Sequence, residues 1–334
     1  MAPHSNARRT AEEPRFEDAL RRALALRAQL FGKFREEPST SAYRLIHSEG
    51  DGVPGVAVDA YAGCLLVQVL DERELGAVEK LEKHLAQTLE PSCIVRKLRY
   101  RQVERGRVPG EVVHGEAPRG PVRVLENAMP FEVELLEGLH TGLFTDMREE
   151  RARLRSLAAG RRVLNTFAYT GAFSVAAALG GAAQVTSVDV VNKVLDRAKH
   201  HFELAGIDPA RHHFARMEVL EFLSMAARRG WAFDAIVLDP PTFATFRSGR
   251  WSAKSGYPEL LRLAIAVLAQ GGLLWAAANT ESLPQETLER QITAAFREAK
   301  RSCKVIAVGG LPPDYPTPPD QPKARYLKVY VLEA

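Results

Sequence analysis

Asp239 closes the apolar run Phe233-Asp234-Ala235-Ile236-Val237-Leu238 and is followed at once by Pro240, Pro241, Thr242 and Phe243. Two prolines after a strand end fix the backbone and remove two N–H donors. The Asp239 carboxylate and the neighbouring carbonyls are then free to accept from a base edge or an amine. Phe243 can lie flat against a planar ring, as extruded bases are held; turned inward, it would be ordinary core. A second carboxylate, Asp189, ends the β-branched run Val185-Thr186-Ser187-Val188. It follows Gly171 at roughly the distance, about 20 residues, at which doubly wound folds set an acid against ribose hydroxyls. As a helix N-cap it would need no ligand. Gly171 stands between an apolar strand and a helix start, where a ligand or a tightly packed helix must not meet a Cβ. There is no G-x-G-x-x-G at this turn, which argues against a pyrophosphate and for a smaller adenosine ligand. Jointly, the three strand ends point to S-adenosylmethionine (AdoMet) with a planar substrate beside it.

The elements that must hold these residues alternate regularly. Helices are expected over 147–158, 172–179, 192–205, 219–229 and 257–269, interleaved with strands over 162–165, 184–189, 212–215, 233–238 and 272–277. Such alternation demands a mostly parallel sheet covered on both faces. Two late stretches, 303–308 and 325–332, read as a closing strand pair. The chain divides near a hairpin at 122–142. Residues 1–14 read as a flexible tail and 15–142 as a smaller α+β domain with an amphipathic helix over 16–34. Residues 143–334 read as the α/β domain.

Composition fits a soluble enzyme of the cytoplasm. No apolar stretch is long enough to span a membrane, and the first residues lack the apolar core of a secretory signal. Cys64, Cys93 and Cys303 form neither a metal-ligand spacing nor an even disulfide set, so no metal is expected. A net charge of +4 permits nucleic acid as a partner without requiring it. The cations cluster: Arg96, Lys97, Arg99, Arg101, Arg105 and Arg107 stand against one carboxylate, Glu104, with Tyr100 interleaved. The stripe would neutralise RNA phosphates or form a solvated loop flank. A homodimer is left open.

From about residue 42 onward the chain resembles the RlmI/RlmK group of 23S ribosomal RNA methyltransferases. The matching stretches are Tyr43-Arg44-Leu45-Ile46-His47-Ser48-Glu49-Gly50-Asp51-Gly52-Val53-Pro54-Gly55, His140-Thr141-Gly142-Leu143-Phe144-Thr145-Asp146-Met147-Arg148 and Asn165-Thr166-Phe167-Ala168-Tyr169-Thr170-Gly171. Asp239-Pro240-Pro241-Thr242-Phe243, Asp314-Tyr315-Pro316 and Tyr326-Leu327-Lys328 complete the set. The resemblance implies a class I AdoMet methyltransferase fold, Rossmann-like with a mostly parallel seven-stranded sheet, and a preceding domain that helps to present RNA. It implies Asp146 and Arg148 at the methionine end of AdoMet, with Phe167, Tyr169 and Gly171 as a wall. It further implies Asp189 on the ribose, Glu218 on the adenine edge and Asp239 near the methyl group. Phe144 and Asn165 join this cofactor set from the same motifs. Arg148 would otherwise be a simple ion pair with Glu149 or Glu150.

Three departures bear on that expectation. The front of the chain is short for the small RNA-binding PUA domain of many RlmI-like proteins. His140 and Met147 replace the Lys and Gln often found at the methionine end. Most telling, cytosine C5 becomes nucleophilic only after a thiolate adds to C6, yet the strand after Asp-Pro-Pro ends Ala276-Ala277-Ala278-Asn279-Thr280, with no sulfur. A ring nitrogen needs no such nucleophile, because alignment and desolvation carry the reaction. Asn279 could donate to guanine O6 or merely cap the next turn. The expected catalytic set is therefore Asp239, Pro240, Phe243 and Asn279, acting on a base nitrogen such as guanine N7. Cytosine C5 chemistry, a small planar metabolite, or a non-catalytic ribosome-assembly role are the alternatives.

Overall fold

Short β-branched runs closed by tight turns build the first part of the chain. A computed structural model describes residues 6–36, 39–100, 108–246 and 249–334, with side chains described outside 6–16 and 244–250. It divides into two units, residues 1–145 with 312–322, and residues 146–311 with 323–334. The first unit holds helix α1 (Asn6–Phe31), strands β1 (Ala42–His47), β2 (Val56–Tyr61) and β3 (Cys64–Val69), and helix α2 (Leu75–Leu89). Strands β4 (Cys93–Leu98) and β5 (Glu111–Gly115) complete a sheet of order β1-β2-β3-β4-β5. Only β3 and β4 pair in parallel, with α2 as their crossover. Ala19, Leu20 and Ala23 of α1 join Val78, Leu81 and Leu85 of α2 in one core with the sheet. Hairpin β6 (Val122–Glu126) and β7 (Met129–Val133) turns through Asn127 and Ala128, both at positive φ, as a two-residue hairpin requires.

Helix α1 begins at Asn6, inside the stretch read as a tail over 1–14. Ala7, Arg8, Arg9, Ala11, Glu12 and Glu13 are all good helix formers. Residues 312–322 return to the first unit for a physical reason. The guanidinium of buried Arg27 forks onto both oxygens of Asp51, at 2.7 Å each, and also donates to the Asp314 carbonyl at 2.7 Å. Asp314 in turn accepts from the Arg44 amide at 2.9 Å. At Gly50 a Cβ would sit 1.7 Å from the Pro316 carbonyl oxygen, so only glycine admits the returning segment.

The second unit alternates as expected: α3 (Arg148–Leu157), β8 (Arg162–Thr166), α4 (Ala172–Leu179), β9 (Gln184–Asp189), α5 (Asn192–Leu204), β10 (His213–Arg216), α6 (Val219–Arg228) and β11 (Phe233–Leu238). A small hairpin, β12 (Phe243–Phe246) and β13 (Gly249–Ser252), interrupts the series. Then come α7 (Ala253–Ala266), β14 (Leu268–Asn279), α8 (Gln285–Glu298), β15 (Lys304–Gly309) and β16 (Leu327–Glu333). The seven-stranded sheet has order β10-β9-β8-β11-β14-β16-β15, and only β16 runs against the rest. Strand order reverses between β8 and β11, which is where open α/β sheets bind ligands. Thr166 pairs with Val188 on one side and Leu238 on the other, so three strands end level at that point. This is the Rossmann-like class I methyltransferase fold. No helix among the described residues is long and apolar enough to cross a membrane.

Breaking a buried ion pair from one side strands the other charge. Arg27→Ala should therefore lower the unfolding free energy of the first unit by about 3–5 kcal/mol in urea titrations. A loss under about 1 kcal/mol would mean that Asp51 finds other donors.

Candidate functional site

The turn after β8 is strained. Phe167, Tyr169 and Gly171 have φ of 52°, 50° and 78°, and non-glycine residues held there cost about 1–3 kcal/mol each. Asp189 at the end of β9 compensates, accepting the Tyr169 amide on one oxygen at 2.9 Å and the Val191 amide on the other at 3.0 Å. Each oxygen keeps a lone pair for a ligand hydroxyl. Val190 and Val191 follow it 47% and 48% exposed, an apolar surface that charge and motif reading does not single out. Glu218 lies alongside, because Met217 donates its amide to the Asp189 carbonyl and Glu218 precedes α6 half-buried.

Two residues of the expected cofactor set have structural duties. A Cβ on Gly171 would come within 2.6 Å of the Ala198 Cβ, so its glycine serves the close approach of α5. Buried Asn165 donates to the Ser174 hydroxyl at 2.9 Å, and Ser174 meets the Ser187 hydroxyl at 2.7 Å. That polar chain ties β8, α4 and β9 together. Phe144 belongs to the first unit, 43% exposed, its ring 5.1 Å from that of His140.

At the end of β11, the Asp239 Oδ1 is closed to solvent and has no hydrogen-bond partner among the described residues. Burial, reinforced by the Asp146 carboxylate and opposed by the Arg151 guanidinium, pushes the Asp239 carboxyl up to about 7. Asp146 is itself held by the Tyr326 hydroxyl, which donates to Oδ2 at 2.8 Å. Arg148 is buried on the same helix as Arg151 and pairs with Glu149 at 3.3 Å. Arg151 and Tyr326 stand outside the cofactor and catalytic residues expected from sequence, although Tyr326 lies in a stretch that carries the family resemblance. The i,i+3 spacing of Arg148 and Arg151 on an acid-flanked helix start is the available signal for the former.

Around Asp239 the Asp-Pro-Pro turn meets the end of β14. Pro240 is buried, and the Thr242 hydroxyl donates to the Asn279 Oδ1 at 3.4 Å. Tyr257 of α7 is buried and donates to the Ala277 carbonyl at 2.8 Å. Phe243 is 73% exposed and opens the hairpin that returns Trp251 toward Phe167, with ring centroids 6.2 Å apart. Asp239, Pro240, Phe243 and Asn279 thus gather on one rim of the sheet. It carries an acid with one oxygen closed to solvent, an exposed aromatic and a side-chain amide, suited to orienting a planar electron donor.

The described cations of the basic stripe, Arg96, Lys97 and Arg99, are committed within their own unit. Arg96 is clamped on Glu82 and reaches Glu111 at 3.6 Å. Lys97 is buried, donating to the Glu137 and Gly138 carbonyls at 3.3 and 3.1 Å, and burial lowers its ammonium to about 8. Arg99 donates to the Leu139 carbonyl. Arg101, Arg105 and Arg107 lie outside the described residues.

Residues 43–331 match the S-adenosylmethionine-dependent methyltransferase family. YwbD of Bacillus subtilis, provisionally named a ribosomal RNA large subunit methyltransferase, is 36% identical over 326 residues, covering 95% of this chain and 80% of its own. Ribosomal RNA large subunit methyltransferase I of Aeromonas salmonicida is 33% identical over 297 residues, covering 88% and 75%. Among solved structures, a provisionally named methyltransferase complexed with SAH superposes with a TM-score of 0.87 at 28% identity, over 96% of this chain and 81% of that one.

Gly171→Ala should destabilise the second unit by about 2–4 kcal/mol, the sum of left-handed strain and overpacking. Adding Ala198→Gly should restore part of that loss in the same urea titration. No restoration would place the clash elsewhere.

Proposed function

Because the chain belongs to the S-adenosylmethionine-dependent methyltransferase family, we propose that it methylates a base nitrogen of large-subunit ribosomal RNA, guanine N7 being the simplest fit, without a covalent intermediate. The observation that carries the reading is the rim around Asp239. A carboxylate with one oxygen buried and unpartnered among the described residues shares that rim with an exposed phenylalanine and an asparagine amide, with no thiol in the segment that ends β14. Cys64 and Cys93 are buried in the sheet of the first unit, and Cys303 packs against the core of the second. Ribosomal RNA as substrate follows the names of the relatives from Bacillus subtilis and Aeromonas salmonicida.

The enzyme's cofactor is AdoMet, which supplies a methyl group on a sulfonium centre. The residues on the rim fit it. Asp189 has lone pairs left for ribose hydroxyls, Val190 and Val191 offer an apolar face to adenine, and Glu218 lies near for its amine. Asp146 and Asp239 supply negative charge where a cationic ligand would sit. Phe243 stacks on the target base, while Asn279, held by Thr242, meets its edge. For a ring nitrogen the base brings its own electron pair, so these residues need only align it and exclude water.

Nucleoside mass spectrometry of ribosomal RNA incubated with the enzyme and labelled AdoMet tests this directly. Label in 7-methylguanosine or another N-methyl base is expected, and the Cys64→Ser/Cys93→Ser/Cys303→Ser variant should keep the activity. Label in 5-methylcytidine, lost in that variant, would overturn the nitrogen reading.

The acid at Asp239 adds a pH dependence. With its carboxyl pushed up to about 7, the charged form that favours a cation is gained as pH rises through neutrality. AdoMet affinity should therefore rise from pH 6 to pH 8, with proton release on binding at pH 6 by calorimetry, and Asp239→Asn should flatten the profile. For stability the sign reverses. A raised carboxyl favours the fold below its unfolded value and loses that contribution as pH rises through about 7, so Asp239→Asn should stabilise the apoprotein more at pH 8 than at pH 4. A parallel profile in the variant would remove Asp239 from both effects.

A further inference from the structure

A groove in the first unit, of about 750 Å³, has no role in the chemistry above. That volume lies within the roughly 300–1,000 Å³ range of small-ligand sites. Its concavity is built by backbone: Gly32 and Arg35 turn the chain after α1 at φ of 79° and 69°, and Ala62 and Gly63 turn between β2 and β3 at 49° and 92°. Its floor is aromatic. Phe31 and Tyr43 stack with centroids 4.4 Å apart and an interplanar angle of 23°, and Phe34 lies half-buried beside them.

The rim is cationic. Lys33, Arg35 and Arg123 are all exposed and line the groove with one carboxylate among the described residues, Glu36. Lys33 reaches Glu36 only at 3.9 Å, with both side chains in water, a pairing worth little. Arg35 gives one N–H to the Glu90 carbonyl at 2.6 Å and keeps the rest of its guanidinium. Arg123 stands opposite Glu132 in the hairpin register, its side chain at the solvent. Unlike Arg96 and Lys97, these cations are available to a ligand.

We infer that this groove holds one unstacked nucleotide of a single-stranded RNA segment, its base on the half-buried Phe31 and Phe34 rings, which Tyr43 backs from the core, and its flanking phosphates on Lys33, Arg35 and Arg123. The assignment rests on the RNA reading above and says which surface of the first unit meets the substrate. A planar base matches a stacked aromatic floor whatever its identity, and the cations match the backbone. A duplex keeps its bases paired and stacked, so none can lie flat on this floor.

Fluorescence anisotropy of the full chain with a labelled single-stranded RNA of about 12 nucleotides tests it. Lys33→Glu/Arg123→Glu should weaken binding at least tenfold at low salt and reduce the salt-dependence slope by about 1.4, the loss of two phosphate contacts. Phe34→Ala should weaken it about 5–100-fold with the slope unchanged. Phe34→Leu, which keeps an apolar side chain against the core, should show the same loss with an unaltered unfolding midpoint. AdoMet affinity should be unchanged in all three, and an RNA duplex of equal length should not sense Phe34. Wild-type RNA affinity in the variants, with ribosomal RNA still methylated, would overturn the groove and leave the function standing. Failure of the unmodified protein to bind or label any RNA would overturn both.

Discussion

Level strand ends are the constraint on which the second unit depends. Thr166 lies opposite both Val188 and Leu238, so the turns that carry Phe167, Asp189 and Asp239 leave the sheet on one line. A slip of one residue in either pairing would reverse every side chain along that strand and bury the acid at its end in the wrong layer. The buried Thr166 hydroxyl, donating to the Val237 carbonyl at 2.6 Å, and the Asn165–Ser174–Ser187 chain hold the register from within. The site is thus a property of the sheet before it is a property of its loops.

Asp239 shows what that arrangement costs. A carboxyl with one oxygen closed to water and lacking a donor favours its neutral form, and Asp146 nearby deepens the preference while Arg151 opposes it. Such a group is retained only by a rigid surround. Here the surround is the apolar core of β11, β14 and α7, in which Leu238, Tyr257, Leu260 and Ala276 are fully buried. A cationic ligand would relieve the conflict, which is how a destabilised acid becomes a binding device. The strain of Phe167 and Tyr169 has the same logic, since the Asp189 carboxylate that could meet a ligand is also the acceptor that fixes the turn.

Much of this is legible in sequence because it obeys local rules. Strands that end in acids, the βα alternation and the closing strand pair all show in periodicity and turn residues. The return of residues 312–322 does not, because Arg27, Asp51 and Asp314 meet across a separation that no local pattern reveals. The hairpin β12–β13 is equally hidden, since Asp-Pro-Pro announces a turn and carries no signal for the strands beyond it. Motif position sets Asn165 and Gly171 against a ligand, whereas the structure spends Asn165 on a buried hydroxyl and Gly171 on Ala198. Residue type at a strand end is visible in sequence; the direction in which a side chain is satisfied is not.

Charge illustrates the same limit. A run of cations in sequence is a statement about composition, and folding decides how many remain available. On β4 the pattern alternates with the pleat. Arg96 therefore meets Glu82 on α2, while Lys97 points the other way and is buried against the carbonyls of residues 137 and 138. A buried ammonium satisfied by carbonyls cannot neutralise a phosphate without abandoning them. Lys33 and Arg123 carry weaker sequence signals, being single residues far apart in the chain, yet folding brings them to one rim with their charge unspent. Electrostatic attraction to RNA depends on cations that water already reaches, so surface position outweighs local density in deciding where a basic chain meets its substrate.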